Sequence, residues 1–526
     1  MKRAAVAAAA SILVWAPAAH ASSANLLRRG ISHAEAQHWI KPKDAARYRR
    51  DVAWALRDES RLPKLRARVI SAQLAQLTTL WDSYTSPRAL ALFTQLEQNL
   101  RYFETHRIPD KRVDVSDAEG VVYRWFPYTG LEFHPLASFS ALANAASSHD
   151  TAKTRALADA LMARAIPRTG RRLIWEYSFP YGGGRPPWAS GMAQALAAQA
   201  LARAGALLGD RNLTVAAARA YDAVPWLLSE TSAGPWIRLY GFDREIILNA
   251  QLQTIVSLSE YGRTTGNSGA TALAQRLTTA AKTFLPRFDT GDWSLYSLGG
   301  VHASLGYEQY VTELLARLAA QTLDPFWVDA AQRFKHYLAA PQVVEGTPPP
   351  TLYPQPQDGW LDTASIPITL SQRSSVTVAV GGKVLTYRFS RGTHVVRWTP
   401  PPTLPPGTYP VTVSAVSYVG RRARVQLAPI VVAWDTAPPQ GLTAQLAGAA
   451  LTWQTTDPGT PSLHLVLQLT DPTGASPPQT LDLGQQPVSG TATVSLPAGT
   501  WDATLLATNS AGQTATLDLG MVAGPD

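Results

Sequence analysis

The sequence contains no cysteine, which excludes disulfide bonds, thiol nucleophiles and thiolate metal centres at once. Charged residues are also sparse, at 16% of the chain against roughly 25% in an average soluble protein. No apolar run reaches the roughly 20 residues that a membrane-spanning helix needs, because every stretch after the N-terminus is broken by charge or Pro. There is no Gly-x-Ser-x-Gly, so the nucleophile elbow of a hydrolase triad is missing. Tyr181-Gly182-Gly183-Gly184-Arg185 has no Lys-Ser/Thr after it and no strand before it, so it reads as a substrate-facing loop beside Trp188 rather than a phosphate loop. Glu132, His134 and His302 do not make a metal set at helical spacing. No cofactor is expected.

What is present begins with a leader. Lys2 and Arg3 precede an Ala-rich apolar stretch reaching Trp15, and Ala19-His20-Ala21 supplies small residues at a cleavage position. This order is that of a secretory signal peptide over residues 1–21, with Ser22 the first mature residue and the product secreted, periplasmic or held in the cell envelope. The formal charge of +9 is uneven. From Ala340 onward 8 Lys and Arg face 10 Asp and Glu, whereas the part before it holds 39 against 28. A basic, exported N-terminal part suits an acidic polysaccharide and argues against nucleic acid; a homodimer is left open.

The fold class expected is mixed: an α-helical toroid over residues 22–341, then two β-sandwiches. Apolar residues recur at helical spacing from Ala34 to Ala339, as in Leu74, Leu77, Leu80 and Trp81. About ten helices joined by aromatic loops suggest paired helices wound into an incomplete barrel. Those loops hold Tyr123 to Tyr128, Trp175 to Trp188, Trp236 to Asp243 and Trp293 to Tyr310. A Pro-rich linker is expected at 342–350. Alternating strands follow, as in Val376 to Val380, Gly381-Gly382 and Val384 to Phe389. An immunoglobulin-like module is expected over 351–435 and a fibronectin type III-like one over 436–526, sharing a Leu-Pro-x-Gly-Thr-aromatic turn at Leu404 and Leu496.

Four segments in order resemble the C-terminal catalytic domain of the D-glucuronyl C5-epimerases, over roughly residues 170 to 340. They are Trp188 to Gln194 with its helix, Leu248-Asn249-Ala250, Leu285 to Tyr296, and Tyr307 with the helix after it. The resemblance implies catalytic roles for Tyr307, Tyr296 and Tyr240, and substrate contacts from Asn249 and Trp188, with Tyr181 and Arg185 on the adjoining loop. The family's pattern is broken at Leu239, where an acidic residue is expected, and at Glu308 and Val311, where histidines are expected. Nearby Arg238, Asp243, Glu245, His302 and Glu308 offer replacements, and Arg238 is the choice for pairing with a carboxylate because guanidinium binds it in two-pronged fashion.

The C5 proton of a polymer uronate lies beside a carboxylate. Removing it builds an enolate-like dianion that needs a cation or strong donors. A base on one face and an acid on the other return the proton with inverted geometry. Tyrosine serves on either side where neighbouring cations lower its pKa from about 10. The reading is therefore a uronic-acid polysaccharide epimerase. A polysaccharide lyase sharing the first step and a non-catalytic glycan-binding envelope protein are the alternatives.

Overall fold

The computed structural model describes residues 17–525, with side chains from Ser23 onward; residues 1–16 of the expected leader lie outside them. The chain divides into two compact units, Met1–Tyr337 and Leu338–Asp526. No helix among the described residues is long and apolar enough to cross a membrane.

Twelve α-helices occur among the described residues: α1 (Pro17–Ala36), α2 (Pro42–Arg61), α3 (Lys64–Thr79), α4 (Ser86–Thr105), α5 (Pro135–Ser147), α6 (Thr151–Ala163), α7 (Gly191–Leu208), α8 (Arg211–Tyr221), α9 (Leu248–Thr265), α10 (Ser268–Phe288), α11 (Leu305–Thr322) and α12 (Pro325–Ala339). Pro stands at the first turn of α2, α4 and α5, where its missing N–H costs nothing. The central elements are α7 and α9. α7 packs against α5, α8 and α9, and α9 against α10 and α11 as well. Both are buried on nearly every side, in keeping with sequences that carry Ala, Leu and Gln all round rather than on one stripe. Gly191 is required at the start of α7, since a Cβ there would meet the Arg238 carbonyl oxygen at 2.7 Å.

One departure from the helical expectation matters for the site. The stretch Tyr123–Tyr128, expected as a loop, is largely strand. β1 (Asp114–Ser116), β2 (Val122–Phe126) and β3 (Gly130–Phe133) form an antiparallel three-stranded sheet, with Asp114 opposite Arg124 and Arg124 opposite Glu132. Two small hairpins, β4 (Ile166–Pro167) with β5 (Leu173–Ile174) and β6 (Leu228–Thr231) with β7 (Gly234–Ile237), sit in the remaining inter-helix connections.

The second unit is built from strands. β8 (Val344–Gly346), β10 (Ala364–Leu370) and β13 (Gly392–Trp398) form one sheet. β9 (Thr351–Leu352), β11 (Ser374–Val380), β12 (Lys383–Phe389), β14 (Gly407–Ser417) and β15 (Arg422–Val432) form another. Between them lies a core of Ile366, Val378, Trp398 and Val413. The Gly381-Gly382 turn joins β11 to β12 with φ of +53° and +76°, the left-handed pair that a two-residue hairpin needs. β8 lies inside the stretch expected as linker: residues 344–346 pair with Leu370 to Ile368, so that segment is ladder rather than free chain.

The remainder repeats the plan. β16 (Gln440–Ala447), β17 (Ala450–Thr456) and β20 (Ser489–Thr493) face a sheet of β18 (Ser462–Thr470), β19 (Gln479–Pro487), β21 (Thr500–Thr508) and β22 (Thr514–Ala523). Leu451, Trp453, Leu465, Leu467, Trp501 and Leu505 make the core, each at an inward position of an alternating strand.

Candidate active site

A cavity of about 1320 Å³ opens in the helical unit. Four helices line it near their N-terminal ends, α5 along one side as far as Asn144. Leu136 and Ala137 come from the first turn of α5, Ser190 and Met192 from α7, Asn249 from α9, and Gly306 and Tyr307 from α11. Side-chain caps fix three of these ends: His134, Ser190 and Ser304 accept from the amides of Ala137, Ala193 and Tyr307.

Tyrosines from separated segments form a row, of which Tyr181, Tyr240 and Tyr307 line the cavity and Tyr296 joins the last two from behind. The Tyr181 and Tyr240 rings lie 5.2 Å apart, the Tyr240 and Tyr296 hydroxyls 3.5 Å apart, and the Tyr296 and Tyr307 rings 4.9 Å apart. Burial, then the phenols beside it, pushes Tyr240 well above the usual phenol pKa; burial does the same to Tyr296. Both therefore hold their protons. Tyr307 is 37% exposed at the cavity mouth. Behind it Tyr310 donates to Gln253 Oε1 at 2.6 Å, and burial pushes its hydroxyl up to about 12.

The residues supporting this row are largely buried. Trp188 stacks on Tyr177 at 4.2 Å, donates to the Phe179 carbonyl at 2.8 Å and meets Tyr240 edge-on at 5.7 Å. Tyr177 is held in turn by α5, accepting from the Leu136 amide at 3.3 Å. Glu176, beside it, is clamped by Arg88 through two hydrogen bonds of 3.0 and 3.1 Å and by Arg168.

A cationic part of the lining comes from β1, β2 and the loop before them. Arg124 makes a two-pronged pair with Asp114, both bonds 2.7 Å. Burial opposes ionised Asp114, yet the Arg124 hydrogen bonds and charge hold it below the usual carboxylate range. Arg124 also lies 3.1 Å from His134 Nε2. Burial, then the Arg124 charge, drives His134 down to about 3, so its ring is neutral and works as the α5 cap. A neutral ring accepts at one nitrogen only, so the Ala137 amide and Arg124 compete for it.

Arg112 differs from Arg124. Among the described residues no carboxylate lies within 4 Å of it, and it lines the cavity with Tyr307 close enough to act on it electrostatically. Burial and then the Arg124 charge pull it below the ordinary guanidinium value, although a guanidinium remains charged.

The residues singled out from the sequence thus divide. Tyr181, Trp188, Tyr240, Asn249 and Tyr307 line the cavity, and Tyr296 touches both Tyr240 and Tyr307. Arg238 does not line it. Its guanidinium donates to the carbonyls of Gly241 (2.8 Å) and Trp226, closing the loop that carries Tyr240, and it lines a separate pocket with Arg244 and Arg287. Glu308 is fully buried and accepts from the Ser294 amide (2.9 Å) and hydroxyl, so it braces the loop before Tyr296 rather than meeting substrate. His302 pairs by backbone with Leu295, and Arg185 is exposed on its loop; neither lines the cavity. Arg112, Arg124, His134 and Tyr310 were not singled out as site residues. The available signal was the alternation Val113-Asp114-Val115 and Val122 to Phe126 flanking a turn, which marks a hairpin carrying a basic pair at its entry.

Known proteins resemble parts of the chain. An uncharacterized protein of Methanocaldococcus jannaschii is 36% identical over 62 residues, 12% of this chain and only 20% of that relative's length. A sugar epimerase from a ruminal bacterium is similar in structure at 14% identity and TM-score 0.31, covering 40% of this chain and 61% of that one. Cellobiose 2-epimerase from Bacillus thermoamylovorans is similar at 10% identity and TM-score 0.34, covering 53% and 76%. The fibronectin(III)-like modules of Clostridium thermocellum CbhA are similar at 11% identity and TM-score 0.18, covering 35% and 94%. The segment that supplies Tyr181, Trp188, Tyr240, Asn249, Tyr296 and Tyr307 matches, over residues 169–336, the family described as the D-glucuronyl C5-epimerase C-terminus, and over that segment this chain carries the domain of that family.

Proposed function

We propose that the protein is an exported uronic-acid polysaccharide epimerase that removes the C5 proton of a uronate and returns it to the opposite face. The observation that carries this reading is that Tyr240 and Tyr307, both touched by Tyr296, line one cavity together with Arg112, which has no carboxylate within 4 Å among the described residues. The helical unit is taken as an α/α toroid, and the two β modules as immunoglobulin-like and fibronectin type III-like sandwiches.

In this mechanism the substrate carboxylate sits against Arg112, whose fixed charge stabilises the dianion that forms. The Tyr307 oxygen takes the C5 proton. The electron pair from the C–H bond moves into the carboxylate, and the Tyr240 phenol, paired with Tyr296 behind it, then gives its proton to form the new C–H bond on the other face of a sugar lying between Tyr307 and Tyr240. Those two hydroxyls are suited to donation because burial keeps them protonated. No other atom leaves the sugar, so chain length is unchanged.

The test is deuterium incorporation at C5 over heparosan, alginate and related polymers, with wild type and Tyr307→Phe. Exchange that disappears in the variant supports the reading. Ultraviolet-absorbing unsaturated products would replace it with the lyase, and saturable binding without either would leave a glycan-binding protein.

A further inference from the structure

The cavity extends beyond the tyrosine row to a rim outside the family-matched segment. There Leu65 and Arg68 of α3 meet Tyr128, the middle residue of the Pro127–Thr129 turn between β2 and β3. Leu65 and Tyr128 are each 61% exposed. Tyr128 also holds a left-handed backbone, φ +74°, which a tyrosine adopts only under constraint. The constraint is visible. Gln73 donates to the Thr129 carbonyl at 2.6 Å, and Asn99 exchanges two 2.8 Å hydrogen bonds with the Leu131 backbone. Two buried amides therefore pin the turn from beneath and present the ring to solvent. Arg68 lies 5.1 Å from the ring centre and has no carboxylate within 4 Å among the described residues.

We propose that Tyr128 and Arg68 form an outer saccharide subsite, at which a sugar stacks on the Tyr128 ring while its carboxylate pairs with Arg68. The ligand class is a polyanionic glycan long enough to reach from the Tyr307 end of the cavity to this rim. A pinned, strained, exposed aromatic beside an unpaired cation does nothing for the core that a glycine in the turn would not do better. The inference rests on the proposed uronate chemistry for its substrate class.

The experiment uses the full chain as wild type, Tyr128→Gly and Arg68→Gln. Tyr128→Gly suits the left-handed backbone, so it removes the ring without endangering the turn. Calorimetric Kd and C5 deuterium exchange are measured with heparosan polymer and with a heparosan fragment holding a single uronate. Each variant is expected to weaken polymer Kd and raise polymer KM about tenfold, with kcat and the fragment's parameters unchanged. Polymer values equal to wild type, or equal losses on polymer and fragment, would overturn the subsite while leaving the epimerase reading intact. Weakened polymer binding in the variants with no exchange in wild type would keep the subsite and remove the epimerase. A wild type that binds neither ligand would end both.

Discussion

The hydroxyls of Tyr240, which lines the cavity, and Tyr296, 56 residues apart in sequence, stand 3.5 Å apart. Each is buried enough to stay protonated, and each borders a second tyrosine, Tyr181 or Tyr307. Tyr296→Phe and Tyr240→Phe keep the rings and remove one member of this pair. Exchange at C5 is expected to fall on the order of 10²-fold or more in at least one of them, with unfolding free energy within about 1 kcal/mol of wild type. Exchange rates beside a urea melt check this; full activity in both variants would confine the pair to packing.

Arg112 and Arg124 are neighbours with different work. Arg124 is satisfied by Asp114, and Arg112 faces the cavity. Arg112→Ala is expected to lower kcat/KM roughly tenfold to a hundredfold at unchanged stability. Arg112→Lys, which keeps charge but loses the fork, should recover only part of it. Arg124→Ala leaves Asp114 without its partner and should cost stability as well as activity.

Glu308 gives a pH signature. Burial raises its carboxyl from 4.5 to about 7, against the hydrogen bonds from Ser294 that favour the ionised form. The folded protein thus binds this proton more tightly than the unfolded chain. Its contribution to stability is complete below pH 4.5, declines as pH rises and is lost above about 7, for a total of about 3 kcal/mol. Glu308→Gln should flatten this decline between those limits. Unfolding free energies of both proteins across the window are the check, and parallel curves would refute it.

Glu176 ties the wall bearing Tyr177 and Trp188 to α4. Removing its carboxylate strands Arg88, whose side chain is largely enclosed. Glu176→Ala is expected to destabilise by about 3–5 kcal/mol. Arg168→Ala, at the exposed end of the same cluster, should cost less than about 1 kcal/mol. Equal losses would show that Arg88 is not the group left uncompensated.

Local pattern was enough for much of this chain. The 3.6-residue repeat marked the helices and Gly381-Gly382 marked a hairpin turn, because these are interactions between residues a few positions apart. The ordered segments around Trp188, Asn249, Tyr296 and Tyr307 carried the family resemblance for the same reason. Side-chain direction was decided elsewhere. Arg238 and Tyr240 are two residues apart, yet one closes a loop on backbone carbonyls and the other reaches the cavity. Glu308 follows Tyr307 directly, but the turn of α11 buries one behind Ser294 and leaves the other at the mouth. The cationic part of the lining came from a hairpin more than a hundred residues away from Tyr240. Sequence spacing determines which residues can share an element; only packing of the helices and that hairpin determines which charges face the same space.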